Sequence, residues 1–202
     1  MPVQAPENRY PYAASLQYNR AHFCGGSLVA PNIVITAAHC ANTRMEITLG
    51  RYDLDSPFDY DYEVMDVVDT IIHPRYDKDI VENDLALLIL ERDSVHPYIK
   101  INDDENVPSD GEELVVMGWG DIDPTEDGQE TSDELRETGV YSLANEKCQK
   151  SSGYVQTDNG LFFGSYEGII LSSMMCAIDD IGTTSDACQG DSGKNMHFSF
   201  HR

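Results

Sequence analysis

The apolar residues of this chain arrive in runs too short and too strand-like to build helices. Ile33–Ala37, Met45–Leu49, Val64–Ile72 and Leu85–Leu90 in the first half, and Leu114–Trp119, Glu134–Leu143 and Met174–Ile178 in the second, are rich in Val, Ile and Leu and are separated by Gly, Pro, Asn and Asp. Such runs read as strands, and many short strands joined by turn residues predict an all-β sandwich or barrel. One short helix is expected near Asn145–Lys150, with Asn145 as its N-cap. The acidic stretch Ile101–Glu113, which carries Gly and Pro, reads as the crossing between two lobes. A chain of 202 residues is long enough for one domain or two such lobes with a sizeable core.

Charge narrows the function classes. With 36 Asp and Glu against 13 Lys and Arg, the formal net charge is -23, which argues against nucleic acid as a partner because phosphate contacts need basic patches. The acids cluster at Asp53–Asp69, Asp103–Glu113 and Asp121–Glu134. They read as a solvated surface, with attraction of cationic peptides as the functional alternative. Asp121-Ile-Asp123-Pro-Thr125-Glu126 begins like an EF-hand loop but has Glu126 where that turn needs Gly. No apolar run is long enough for a membrane helix, and the opening residues MPVQAPENRYPY have neither the basic nor the apolar region of a signal peptide. Five cysteines, without a CxxC, leave one unpaired if the other four form two bridges, a pattern suited to an oxidising compartment.

Three local stretches carry chemistry. In FCGGSLVAPNIVITAAHC, His39 follows an apolar strand and precedes a cysteine; in ENDLALLIL, Asp84 stands at the mouth of another; in CQGDSG, glycines surround Ser192. Each is unremarkable alone, since such a His is commonly structural and such an Asp commonly caps a turn. Together they supply a nucleophile, a base to take its proton and a carboxylate to fix the tautomer of the base. The glycine-bearing turn adds backbone N–H groups for an oxyanion. An α/β-hydrolase would need Gly-x-Ser-x-Gly and a late His, whereas Lys194 occupies the second glycine position and the order here is His, Asp, Ser.

RYPYAASLQ, FCGGSLVAPNIVITAAHC, NDLALLIL, VMGWG, MMCA and SDACQGDSG, in that order, resemble the trypsin-like serine proteases over nearly the whole chain. The resemblance implies an all-β fold of two barrels, the first over about 10–105 and the second, incomplete, over about 110–202. It implies His39 as general base, Asp84 as its orienting carboxylate and Ser192 as nucleophile, with Gly190 and Ser192 as oxyanion donors. Asp186 matches the base of the specificity pocket, where a carboxylate selects Arg or Lys. Cys24–Cys40 and Cys148–Cys176 match two family disulfides and leave Cys188 free, and Tyr154–Gly168 reads as an inserted loop near the active site. Expected partners are protein or peptide substrates with basic residues, taken by a secreted monomer, with no membrane and no required cofactor.

The resemblance also breaks. The family's mature N-terminus, Ile-Val-Gly-Gly, whose α-amino group would pair with Asp191, is not in the chain. After Gly193 the sequence Lys194-Asn-Met-His-Phe-Ser-Phe-His-Arg replaces the family's Gly-Pro and its last strands. These departures predict impaired catalysis, with a binding role for a non-catalytic homologue as the competing class. A calcium loop would lie at Gly50–Glu63; its acids fit a cation, but Arg51 stands where the first ligand is expected.

Overall fold

The computed structural model describes residues 2–42, 44–56, 61–104, 106–120, 131–157, 160–178 and 196–197. After a short N-terminal strand β1 (Val3–Gln4), six strands make the first lobe. They are β2 (Ala13–Tyr18), β3 (Ala21–Ala30), β4 (Ile33–Thr36), β5 (Glu46–Leu49), β6 (Glu63–Ile72) and β7 (Ala86–Leu90). They close into an antiparallel barrel in the order β2-β3-β4-β7-β6-β5, with β5 returning to β2. Closure leaves none of the six with an unpaired edge.

Period-two patterning places the core. In β7, Ala86, Leu88 and Leu90 point inward and the leucine and isoleucine between them are half-buried; β4 alternates in the same way. Leu16, Leu28, Val34, Ile47, Leu49, Met65, Leu88 and Leu90 fill the barrel with almost no exposure. Gly26 is dictated by this packing: a Cβ there would lie 2.8 Å from Val34 Cγ1 and 3.0 Å from Ile35 O. Asn19 and Arg20 both take positive φ between β2 and β3, as a two-residue type I′ turn requires.

The second lobe contains β8 (Glu113–Gly118), β9 (Arg136–Leu143), the helix α1 (Asn145–Cys148), a hairpin of β10 (Ser152–Thr157) and β11 (Gly160–Ser165), β12 (Cys176–Ile178) and β13 (Met196–His197). β9 is its centre. It pairs with β8 on one side and with β12 on the other, and β1 joins its N-terminal end through Val3↔Glu137 and Gln4↔Arg136. β13 pairs with β8. The lobes share one core, because Met117, Trp119 and Leu135 pack into the same apolar cluster as the first barrel. Among the described residues no helix is long and apolar enough to cross a membrane.

Each expected strand is present, with ends shifted by one or two residues. Three features differ from expectation. The expected helix stops at Cys148, and its N-cap is Ala144, which makes no side-chain cap bond. Asn145 instead donates from Nδ2 to the carbonyls of Met174, at 2.8 Å, and Leu171, so tertiary contacts claim the amide that capping would have used. The insertion at Tyr154–Gly168 is largely a hairpin, six residue pairs long, rather than an open loop. β2 and the full length of β3 carry no clear strand signal in the sequence, because Gly25, Gly26 and the small residues around them dilute the apolar pattern.

Candidate active site

His39 and Asp84 come together because of strand pairing. β4 and β7 are neighbours, with Thr36 opposite Ala86. His39 lies three residues beyond Thr36, in the 3-10 turn Ala38–Asn42, and Asp84 lies two residues before Ala86. Antiparallel pairing therefore brings the end of one strand beside the start of the other. The disulfide Cys24–Cys40 fastens the turn to β3, next to His39.

Asp84 grips His39 with both oxygens. Oδ2 accepts from Nδ1–H at 2.6 Å, and Oδ1 accepts from the backbone N–H of His39 at 2.9 Å. An ionised carboxylate can only accept, so this pairing calls for a proton on Nδ1. The Asp84 side chain is 17% exposed and that of His39 43%, so the carboxylate is sheltered and the imidazole is open to a reactant. Tyr76 feels the same charge: its hydroxyl is raised above the ordinary tyrosine range by desolvation, then by Asp84 and Asp77.

The backbone leading to Asp84 is tightly built, and the sequence reading missed it. Asn83 has φ 54°, a conformation that asparagine tolerates better than most residues, and its Nδ2 donates to Arg75 O at 2.9 Å. Its backbone N–H reaches across to Ser173 Oγ of the second lobe at 3.3 Å. The asparagine immediately before Asp84 was the available signal. Val81, two residues earlier, also has positive φ (56°), a real strain for a β-branched side chain. It is held by the paired backbone bonds between Asp77 and Glu82, at 2.9 and 3.1 Å.

Cys24, His39 and Cys40 lie close enough to suggest a metal site, but the two sulfurs are bonded to one another and offer no thiolate. The second disulfide, Cys148–Cys176, ties α1 to β12. Asp186, Cys188, Gly190, Asp191 and Ser192 lie outside the described residues.

Comparison with known proteins agrees with this architecture. A sequence model of the trypsin family matches residues 3–197. The trypsin of Squalus acanthias is 32% identical over 195 residues, covering 94% of this chain and 75% of the relative. Trypsin-3 of Homo sapiens is 31% identical over 189 residues, covering 93% of this chain and 56% of the relative. Among solved structures, neuropsin, a serine protease expressed in the limbic system of mouse brain, superposes with a TM-score of 0.80 at 24% identity, over 97% of this chain and 81% of its own; at that identity the likeness speaks for the fold. A family match that runs through both lobes, on a closed six-stranded barrel that sets a histidine against an aspartate, makes this chain a member of the trypsin family of serine endopeptidases.

Proposed function

We propose that this chain cleaves peptide bonds after Arg or Lys through a His39, Asp84 and Ser192 triad and an acyl-enzyme. The observation that carries the reading is the two-oxygen grip of Asp84 on His39, which orients the imidazole as a general base needs. Ser192 Oγ attacks the scissile carbonyl as Nε2 takes its proton, and the backbone N–H groups of Gly190 and Ser192 hold the oxyanion. The imidazolium, steadied by Asp84, returns the proton to the leaving amine; water then enters by the same base and releases the acid. Support for Ser192, Gly190 and Asp186 is their place in the motif SDACQGDSG. Asp186 pairs with the basic side chain of the substrate, and a formal net charge of -23 draws such peptides toward the surface. Two disulfides suit a secreted protein; its action as a monomer is part of the same proposal.

The test is turnover of peptide anilides ending in Arg, Lys or Phe, with Ser192→Ala and Asp84→Asn as controls. Cleavage should be weak, given the departures from the family pattern, should favour Arg and Lys and should vanish in Ser192→Ala. Asp84→Asn should fall on the order of 10⁴-fold, the known scale for an asparagine at this place in such a triad. No turnover above the Ser192→Ala background would overturn the reading in favour of a binding protein, and a preference for Phe would remove Asp186 from the pocket.

A further inference from the structure

The segment joining β5 to β6 is where the family resemblance places a calcium ion, and the described side chains there do not fit one. Arg51 Nε donates to Asp53 O at 2.9 Å, and its Nη2 donates to Ser56 O at 2.8 Å. Its guanidinium carbon also lies 4.7 Å from the centre of the Tyr62 ring, a cation–π contact. The carbonyls of Asp53 and Ser56 are therefore already turned toward a fixed positive charge.

Two of the loop's carboxylates, Glu63 and Asp53, are committed as well. Glu63 accepts from the Arg92 guanidinium, from Ser94 Oγ at 2.6 Å and from Val95 N–H at 2.9 Å. Asp53 Oδ1 accepts from the N–H groups of Asp55, at 3.0 Å, and Ser56, at 3.1 Å. Calcium needs about 6–8 oxygen ligands at about 2.3–2.6 Å. Gathering them here would require breaking these bonds and placing a divalent ion against a guanidinium.

The loop also has a structural task. Tyr52 O accepts from Trp119 Nε1 at 3.0 Å and from Leu135 N–H at 2.9 Å, and Leu54 N–H donates to Asp133 O at 2.8 Å, so these residues strap the first barrel to the second lobe. Gly50 marks where the strap leaves β5. Its φ is 73°, and the His96 ring stands where a Cβ would be, 2.1 Å from Cε1.

We infer that Arg51 is a built-in cation that closes this strap in place of a metal, so that the docking of the two lobes is independent of calcium. A guanidinium suits the task because its planar fork matches two backbone carbonyls at once and it stays charged at every physiological pH. The inference concerns stability and does not depend on the proposed catalytic roles.

Thermal unfolding of the full chain, followed by the fluorescence of its single tryptophan, Trp119, tests it in excess calcium, in excess chelator, and in magnesium at matched ionic strength. The magnesium arm separates specific binding from screening of the net charge of -23. The wild-type curves in calcium and in magnesium should coincide, and the chelator should not lower the midpoint. Arg51→Met should unfold about 2–4 °C lower, equally with and without calcium. A saturable rise in the wild-type midpoint with calcium but not with magnesium would overturn the inference, as would an unchanged midpoint in Arg51→Met. The wild-type comparison stands even if that variant does not fold.

Discussion

The first barrel and the second lobe are built from similar short strands but hold them differently. In the barrel every strand is paired on both sides, and its large apolar side chains converge on one continuous core. In the second lobe Leu114, Val116 and Val140 form a separate small cluster, with Ala177 packed against it. Exposed apolar side chains do not separate the two, since Val68 in β6 is 61% exposed and Phe163 in β11 65%. The difference teaches where precision resides. His39 and Asp84 hang from adjacent strand ends of a closed ladder, so their geometry is fixed by pairing that cannot slip without turning the whole core outward. The second lobe depends on the first for much of its burial, through Met117, Trp119 and Leu135.

The largest effect that can break this contrast comes from truncating equivalent leucines. Leu88 in β7 and Leu114 in β8 are both fully buried, the first in the large core and the second in the small cluster. Leu88→Ala should cost about 4 kcal/mol and Leu114→Ala about 2 kcal/mol, because the cost depends on how far the surroundings can collapse into the space left. Urea unfolding followed by Trp119 fluorescence measures both. Equal losses would mean that the two lobes are one mechanical unit.

A smaller effect concerns acid. Burial alone would raise the Glu63 carboxyl, but the hydrogen bonds from Arg92, Ser94 and Val95 outweigh it and hold the group below the ordinary value of 4.5. A depressed carboxyl adds stability above its unfolded value and loses it as pH falls through the folded one. Glu63→Gln should therefore cost about 1 kcal/mol at neutral pH. That penalty should shrink as the pH drops below 4.5. In the second lobe Asp110 is likewise lowered, first by Lys147 and then by the Ala144 N–H, but it lies at the surface. Asp110→Asn should leave the acid limb of the stability profile unchanged within error. A pH-independent penalty for Glu63→Gln would show that shape, not charge, matters at that position.

The smallest effect is a gain. Val81 holds a left-handed conformation that valine disfavours, in the segment leading to Asp84. Val81→Asn should stabilise the chain by about 0.5–1 kcal/mol. A loss on substitution would mean that packing of the valine outweighs the backbone strain.

Much of this molecule was legible in the residues alone. Alternation of apolar and polar side chains identified the barrel strands because a half-buried strand must repeat with period two. The motifs around His39 and Asp84 mark both residues by sequence alone, since few residue types can serve as a base and its orienting carboxylate. Cysteine spacing left several pairings open until the family resemblance chose among them. Other features depend on contacts between residues far apart in the chain, which no local pattern records. Asn145 read as a cap and instead braces the segment before β12, because the carbonyls of Leu171 and Met174 lie within its reach only once the chain has folded. The strands around Gly25 and Gly26 were obscured by small residues whose use becomes plain when Val34 packs against them. Arg51 reads as a misfit in a calcium loop, and only the fold shows its guanidinium bonded to the carbonyls of Asp53 and Ser56. Sequence determined which side chains could do the chemistry and where strands could form; tertiary structure decided their partners, because a hydrogen bond is satisfied by whatever group lies nearest in space.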